Sequence, residues 1–383
     1  MTENIPDEEL TDWLNKRQTI LKITKTTTTP SGQILDWVPI ESQTQIKIAT
    51  PPPADLLHAT VSDELPTSPS SFDTGEAGPE GHVPILRPDV SKTVKFSDFL
   101  SIRSKRGKKK PTDPNPFGYF HATSAQGSQI YGCDAWLNIW CPEINIPSSP
   151  GDDHSISQLW LQNYQKPELQ SLEGGWTVDW GLNGDKYAHL FTFYTTNGYT
   201  SEGDNLGGYN RLEKGWIQYN PTIFPGIRIN GCSKLKGIQY ELGVKYQLYE
   251  GNWWFGVNNK ESGPWIWIGY YPARLFNGGL GNIVDWVSFG GEVCSALQNP
   301  CLTQDQMGSG LKAATGYGCA AFQRNLRNQT NQSGAMVNFN GVPETDTANN
   351  CPHNNYTIKC FMNSVTNWGS YQFYGGPRDG PCP

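Results

Sequence analysis

Alternation of apolar and polar residues dominates the chain from about residue 115 onward. The clearest example is the run IQYELGVKYQL at residues 238–248, which is followed by a turn at Glu250-Gly251 and a second apolar run from Trp253. Because successive side chains of a β-strand point to opposite faces, this period of two predicts strands, and the intervening turn predicts a hairpin. Many short runs of this kind, separated by turn residues, predict an all-β domain folded as an antiparallel β-sandwich.

Two of the predicted strands each carry one glutamate beside glycines, SLEGGWTV at residues 171–178 and VSFGGEV at 287–293. In both, alternation places the glutamate on a small, polar face and the large apolar residues on the opposite face. Gly175 and Gly290, each two residues from a glutamate, leave space for a close backbone approach. We predict that Glu173 and Glu292 meet across an open groove and act as a pair.

Paired carboxyl groups can support hydrolysis. Two such groups held close together share a proton over an acidic range, so that one can activate water while the other protonates a leaving group. The alternative for either residue alone is a surface carboxylate at a turn. The sequence contains no HExxH, GxSxG, P-loop or GxGxxG-type signature, so we expect no metal and no cofactor.

The N-terminal part of the chain has a different character. Apolar residues at helical spacing before residue 22 predict a short helix, and GQILDWVPI at residues 32–40 predicts a strand. Residues 50–90 are rich in Pro and Ser and poor in large apolar side chains, which is typical of a linker or a loosely attached segment. We therefore predict a pro-segment over residues 1–112 and a catalytic β-sandwich domain over residues 113–383.

A basic run, RSKRGKKKP, occupies residues 103–111 at the end of this pro-segment. It is compatible with a solvated loop, with a patch for an anionic partner, or with a dibasic processing site. The candidate processing residues are Lys105, Arg106, Lys109 and Lys110.

Charge and composition restrict the partners. The formal net charge is −7, which disfavours nucleic-acid binding because phosphate recognition requires a basic surface. No stretch is long and apolar enough to span a membrane. The expected partners are peptides or proteins, without nucleic acid or membrane, and a monomer is expected.

Nine cysteines and three N-glycosylation sequons favour a secreted protein in an oxidising environment. The sequons begin at Asn328, Asn331 and Asn355. An odd number of cysteines leaves one thiol unpaired, and we expect this to be Cys232. The first 30 residues have no apolar run of signal-peptide type.

The chain resembles the neprosin family of secreted glutamic prolyl endopeptidases along nearly its whole length. The resemblance lies in ordered motifs, which include GQILD at residues 32–36, SQLW at 157–160, LEGGW at 172–176, GNWW at 251–254, GYYP at 269–272, FGGEV at 289–293, MGSG at 307–310, YGGP at 374–377 and the final CP. The family's catalytic glutamates fall in its LEGGW-like and GGEV-like motifs, which correspond to Glu173 and Glu292.

The resemblance implies cleavage after proline at acidic pH, without a metal, by a β-sandwich with a groove across one face. It also implies a zymogen whose N-terminal segment is removed in acid. Cys133 and Cys141 have no counterpart that we can place in plant members and are near enough in sequence to pair; Cys351 and Cys382 are further disulfide candidates. These differences, with a Pro/Ser-rich activation segment, suggest a non-plant member.

Three residues are candidates for substrate binding. A proline-specific cleft requires a flat apolar surface for the pyrrolidine ring, and Trp286 lies on the Glu292 side of a regular strand, although it could equally be a core residue. Gln158 and Tyr194 could orient water or substrate, or could be satisfied structural groups.

Two other classes of function remain open. Paired carboxylates among aromatic residues would also suit a glycoside hydrolase. A non-catalytic carbohydrate-binding sandwich, with tryptophans stacked on sugars, is the third possibility.

Overall fold

The structure is a computed structural model that describes residues 8–53, 67–89, 118–145, 153–165, 168–260, 263–295, 297, 299–347 and 355–383. The N-terminal segment contains α1 (Glu8–Leu21), β1 (Lys25–Thr28), β2 (Ile34–Pro39), β3 (Ser68–Pro69), β4 (Ser71–Phe72) and β5 (His82–Leu86). The rest contains β6 (Gly118–Ile130), β7 (Gly132–Ile139), β8 (His154–Asn163), β9 (Gln170–Asp179), α2 (Trp180–Asn183), β10 (His189–Thr195), β11 (Gly207–Tyr209), β12 (Ile217–Gln218), β13 (Ile229–Asn230), β14 (Tyr240–Tyr249), β15 (Asn252–Asn258), β16 (Ile266–Pro272), β17 (Val284–Ser295), β18 (Ala321–Gln329), β19 (Val337–Asn338), β20 (Val342–Thr347), β21 (Thr357–Phe361) and β22 (Tyr371–Gly375).

Two large sheets form the predicted β-sandwich. One has seven strands in the order β11-β10-β9-β8-β17-β6-β20, and every neighbouring pair in it is antiparallel. The other follows the path β12-β16-β15-β14-β7-β18-β22-β21, with β19 and β3 paired at its side. Large apolar side chains from both sheets, such as Trp176, Phe289, Val244 and Phe255, form one buried core between them. The alternating pattern therefore identified the fold class, because its apolar half is what the two sheets bury against each other.

The predicted hairpin is confirmed. Strands β14 and β15 pair antiparallel, with Tyr249 opposite Asn252. The two connecting residues, Glu250 and Gly251, both have positive φ, at 45° and 72°. This is the turn geometry that matches the right-handed twist of the flanking strands.

The N-terminal segment folds against the sandwich. Its helix and the strand β2 are where the pattern predicted them, and β2 pairs with β1 on one side and β5 on the other. The expectation of a loosely attached segment over residues 50–90 is wrong for residues 67–89. There β5 buries Val83 and Ile85, while β3 and β4 pair with β14 and β13.

Two glutamines attach this segment to backbone groups of the sandwich. The Gln33 amide donates to the Gly226 carbonyl at 2.8 Å and accepts from the Arg228 N–H at 3.1 Å. Gln43 makes the same reciprocal pair with the carbonyl and N–H of Gln218, at 2.7 and 2.9 Å. Each side chain thus satisfies one donor and one acceptor that would otherwise remain unpaired.

The disulfide predictions are corrected in part. Cys141 is bonded to Cys232, so the expected Cys133–Cys141 pair and the expected free Cys232 are both wrong. Strand β7 separates Cys133 from Cys141, and eight residues at ~3.3 Å each hold them ~25 Å apart. Cys133 is a buried free thiol, and burial raises its pKa.

Of the other candidates, Cys382 is bonded to Cys319, whereas Cys351 lies outside the described residues. Cys301 is also disulfide-bonded. Two cross-links with sequence separations of 91 and 63 residues therefore fasten the end of β7 and the C-terminus to the sandwich.

The three sequons differ in exposure. Asn331 is exposed and Asn355 is half-buried, donating to the Cys301 carbonyl. Asn328 is 1% exposed within β18 and donates to Gln126, so a glycan at that position is incompatible with this fold. The sequon triplet alone does not reveal that Asn328 lies in β18, a central strand of the ten-stranded sheet. The proposed processing residues 105, 106, 109 and 110 lie outside the described part of the chain.

Candidate functional site on the outer face of the seven-stranded sheet

The two glutamates lie on the same face of one sheet. Strand β8 runs between β9, which carries Glu173, and β17, which carries Glu292. Across these strands, Glu173 lies opposite Trp160, and Glu292 lies opposite Ile156, four residues further along β8. Since residues an even number apart share a face, Glu173 and Glu292 project from the same side. We call this side the glutamate face.

The row between the two glutamates is Gly175, Gln158 and Gly290, one residue from each strand. A Cβ on either glycine would collide with a backbone carbonyl, of Ser157 or of Ala122 respectively. Only glycine fits at these two positions. Gln158 therefore has a glycine without a side chain on each side of it, which leaves the space that the two glycines predicted.

Glu173 is fully buried and is held by hydroxyl donors. Its Oε1 atom accepts hydrogen bonds from the Ser171 hydroxyl at 2.9 Å and the Tyr199 phenol at 2.7 Å. The Tyr199 phenol also lies 3.0 Å from the Ser171 hydroxyl. Burial, reinforced by the charge of Glu173, raises the pKa of Tyr199 well above its ordinary value, so this phenol remains a proton donor to the carboxylate.

Glu292 is 2% exposed and is held between two histidines. His121 Nε2 lies 2.9 Å from Oε2, and His154 Nε2 lies 3.0 Å from Oε1. Each histidine must carry its proton on Nε2 to make this contact, and both oxygens of the carboxylate then accept a hydrogen bond. Hydrogen bonds to both oxygens favour the ionised form of Glu292.

The expectation of an exposed pair sharing one proton is wrong in two respects. The Cα atoms of the two glutamates are separated by two strand spacings, ~10 Å, and by four residues along the strands, ~13 Å. Each carboxylate also has its own set of donors. The second error concerns exposure, because both carboxyl groups are buried rather than lying in an open groove.

A layer of aromatic and aliphatic side chains lies over part of the glutamate face. Tyr199, Leu182 and Leu212 belong to an apolar cluster with Ile156, Phe191, Phe193 and Tyr209 of the sheet. Tyr199 stacks on Phe193 at 5.9 Å and has a φ of 60°, a backbone conformation that bulky residues adopt only at a cost. The turn that carries Tyr199 is therefore shaped to place its phenol on Glu173.

Unpaired polar groups collect on this face. Both amide atoms of Gln158, the Thr177 hydroxyl and the Tyr209 phenol are buried and have no hydrogen-bond partner among the residues that the structure describes. Thr177 lies in the row of Glu292, across Ile156, and Gln158 lies in the row between the glutamates. Buried polar groups are normally paired, so a cluster of unpaired ones indicates a place where water or a ligand supplies the partner.

The other two predicted substrate residues differ in outcome. Trp286 is half-buried on the glutamate face, in the row of Ser171, and lies edge-on to Tyr164 at 6.2 Å. Tyr194 is on the opposite face of β10, buried in the main core against Tyr271. The structure therefore does not bring Tyr194 to the glutamates, because it is one residue out of phase with Phe193, which faces Glu173.

Sequence reasoning missed five residues that surround the glutamates. Alternation alone could have identified three of them. Ser171 shares a face with Glu173, and His154 shares a face with Gln158. Trp160, which lies opposite Glu173 and is only half-buried, could have been identified in the same way. His121 and Tyr199 come from distant parts of the chain, and no local signal points to them.

Within the described ranges, no group of three or more His, Cys, Asp and Glu side chains could hold a metal ion. In that same part of the chain, no helix has the length and apolar character needed to cross a membrane.

Comparison with known proteins gives one informative match. A model of the Neprosin family matches residues 151–377, which include both glutamates and most of the two large sheets. Among solved structures, "The crystal structure of a functionally unknown protein from Saccharomyces cerevisiae" matches with a TM-score of 0.24 and 11% identity. That match covers 46% of this chain and 64% of the other, which is less than two thirds of its length, and it is too slight to bear on fold or function.

Proposed function

Because the chain belongs to the neprosin family, which supports a peptidase-like function in general, we propose that it is a glutamic endopeptidase in which Glu173 and Glu292 are the catalytic residues. The observation that carries the proposal is the glutamate face. Two buried carboxylates, each with its own hydrogen-bond donors, flank a row in which Gln158 lies between two glycines, and the Gln158 amide has no hydrogen-bond partner among the described residues. A peptide bond and a water molecule bound between the two acid–base groups would supply the hydrogen-bond partners that this amide lacks.

We assign the role of general base to Glu292. The two histidines that contact its oxygens favour the carboxylate, because each donates a hydrogen bond to it. The ionised Glu292 takes a proton from water, and the water oxygen attacks the scissile carbonyl carbon. Glu173, in its protonated form, donates to the leaving amide nitrogen.

The separation of the two glutamates suits this division of roles. In glycosidases, a wider spacing of two carboxyl groups leaves room for a water molecule between them, whereas a close spacing does not. By the same reasoning, Gln158 is placed to hold the attacking water or the scissile carbonyl. Its amide can both donate and accept a hydrogen bond.

Specificity for proline at the residue before the cleaved bond is part of the proposal. Trp160 and Trp286 both present half-buried aromatic rings on the glutamate face. A flat aromatic surface stacks against the pyrrolidine ring with little loss of conformational entropy, because that ring is already rigid.

The proposal also includes secretion and synthesis as a zymogen. Disulfides are typical of oxidising compartments. The N-terminal segment contacts the covering layer directly, since Arg17 donates to the carbonyls of Arg211 and Leu212 at 3.0 and 3.1 Å. An inactive precursor requires that both glutamates be buried. Loss of residues 1 to about 110 in acid would remove the two hydrogen bonds that Arg17 donates to the covering layer.

The test uses the purified full chain with two fluorogenic peptides that differ only by Pro or Ala before the reporter bond. We expect little cleavage at pH 7. After incubation at acidic pH, we expect N-terminal sequencing to show a new start near residue 110, together with cleavage after proline. A chain that degrades a polysaccharide but neither peptide would instead indicate a glycoside hydrolase. A chain that remains intact yet is fully active would contradict the zymogen.

A further inference from the structure

A second surface of the molecule is built from aromatic residues and lies on the other sheet. On the outer face of the ten-stranded sheet, one cluster of buried apolar side chains comes from the edge strand β12, from the next two strands, β16 and β15, and from the residues beside them. We call it the aromatic stripe, and its members are Ile217, Trp254, Trp265, Trp267 and Tyr270. The rings pack closely, with Trp254 and Tyr270 at 4.6 Å and Trp254 and Trp267 at 6.3 Å between centroids.

The chain's own N-terminal segment lies on this stripe. Ile48 and Ala49 pack against it, and the Ala49 N–H lies 3.1 Å from the Tyr270 hydroxyl oxygen. The Trp267 indole N–H donates to the carbonyl of Pro52 at 3.0 Å, and Pro52 is buried. Residues 47–53, KIATPPP, form neither helix nor strand here.

The contacts have the chemistry of polyproline recognition. A proline-rich segment already forms an extended helix with three residues per turn before it binds. Its backbone carbonyls make no internal hydrogen bonds and are therefore available as acceptors. Grooves that bind such segments combine flat aromatic rings with an aromatic N–H or O–H donor. The stripe supplies both, with the rings of Trp254 and Tyr270 beside the indole N–H of Trp267.

We propose that the aromatic stripe is a binding site for extended, proline-rich polypeptides, and that residues 48–53 occupy it until the N-terminal segment leaves. The inference rests on the proposed function in one respect, since removal of that segment is what exposes the stripe. It deepens that function by giving the peptidase a second contact with proline-rich protein substrates. Such a contact raises the effective concentration of substrate near the glutamates without contributing to the chemistry.

The experiment measures binding in the full chain and does not depend on turnover. All proteins carry Glu173→Gln. One variant carries Ile48→Ser, Pro51→Gly, Pro52→Gly and Pro53→Gly, which weaken the contacts that hold residues 48–53 on the stripe. Circular dichroism verifies that this variant is folded. The probes are a synthetic peptide with the sequence of residues 45–53, QIKIATPPP, and the same peptide with its three prolines replaced by glycine.

We expect a saturable change in tryptophan fluorescence when the proline peptide is added to the variant, and at least tenfold weaker binding of the glycine peptide. The parent chain, whose stripe is occupied, should bind at least tenfold more weakly than the variant. Adding Trp267→Phe to the variant keeps an aromatic ring and removes the N–H donor, and should weaken binding about three- to tenfold.

Trp368→Phe is the matched control, since Trp368 belongs to a separate aromatic cluster with Phe322 and Phe373 and should leave binding unchanged. Equal affinity for the two peptides, or no binding to a correctly folded variant at millimolar peptide, would overturn the proposal. Because binding is measured in a Glu173→Gln background, its failure is distinct from a failure of the proposed peptidase activity.

Discussion

The two outer faces of the sandwich both bury charged and polar side chains, but they satisfy them differently. On the ten-stranded sheet, Arg324 makes two hydrogen bonds to Glu241, at 2.9 and 2.5 Å, and Arg327 makes two to Asp134, at 2.8 and 3.0 Å. On the seven-stranded sheet, Gln158, Thr177 and Tyr209 bury polar atoms beside two carboxylates, and these atoms have no hydrogen-bond partner within the described ranges.

The difference separates a structural polar network from a site. Desolvating a charge costs several kcal/mol, and a bidentate pair offsets that cost within the folded chain. A buried polar group without a partner keeps its desolvation cost until a water molecule or a ligand binds to it. The presence of such a group is therefore explained by function rather than by stability. The ten-stranded sheet has exceptions, since the buried Trp254 indole nitrogen and the Lys245 ammonium group also have no hydrogen-bond partner among the described residues, and Lys245 is a partial one. It lies 3.9 Å from Asp134, and burial lowers its pKa to about 8.

The largest expected effect is on catalysis. Glu173→Gln or Glu292→Gln should lower peptide cleavage by at least ~100-fold, because positioned acid–base groups contribute ~10²–10⁴-fold. The glutamine side chain has nearly the same shape, so the thermal unfolding midpoint should change little. Steady-state kinetics with the proline peptide measures the first quantity. Near-normal turnover in either variant would remove that residue from the mechanism.

Substitutions among the paired charges of the ten-stranded sheet should have the opposite effect, since they should lower stability and leave turnover unchanged. Arg324→Met leaves Glu241 buried without its partner and should lower the free energy of unfolding by ~3–5 kcal/mol. The turnover of the remaining folded protein should be unchanged. Denaturant titration provides the measurement, and Arg378→Met is the control. Arg378 pairs with Glu143 on the surface, with half of its side chain exposed, and should cost at most ~1 kcal/mol.

Two buried glutamines provide the sharpest test of the comparison. Gln158→Leu removes a group that has no partner, so the free energy of unfolding should stay the same or rise, while cleavage should fall about tenfold through the loss of one hydrogen bond. Gln323 donates to the Ser157 hydroxyl at 2.9 Å and the Gly290 carbonyl at 3.1 Å. Gln323→Leu should therefore destabilise by ~1–3 kcal/mol. Equal destabilisation by both substitutions would mean that Gln158 is structural.

The smallest effect concerns pH and the N-terminal segment. Burial acts to raise the pKa of Asp73, but hydrogen bonds from Ser31 and Thr29, and then the charge of Arg228, outweigh it and lower that pKa. A lowered carboxyl pKa stabilises the fold above the unfolded-state value, ~3.9, and this contribution is lost as pH falls through the folded-state value.

Asp73→Asn should therefore be less stable than the parent chain at pH 7 and should lose less stability between pH 5 and pH 2. Thermal unfolding midpoints across that range measure the effect. Glu76→Gln is the control, because Glu76 pairs with Lys25 but is mostly exposed and its replacement should alter neither value. A parallel pH dependence in the parent and Asp73→Asn chains would show that Asp73 does not contribute to acid sensitivity.

Much of the fold follows from local pattern. The hairpin at Glu250-Gly251 was predictable because turn geometry and strand alternation act over a few residues. Strand β18 was not, since it lacks clear alternation and its place between β7 and β22 is decided by strand pairing across the whole sheet. The Cys141–Cys232 bond was missed for a similar reason, as proximity in space depends on how β7 separates residues that are close in sequence.

The sequence by itself determined the sandwich class and the face of each glutamate, because the side-chain period of a strand is a local property of the backbone. Only the tertiary structure decided that β8 lies between the two glutamates, that His121, His154 and Tyr199 reach them, and that both are buried. Those facts depend on which strands pair and which loop folds over them, and these are set by the burial of apolar surface across the whole chain rather than by any neighbouring residue.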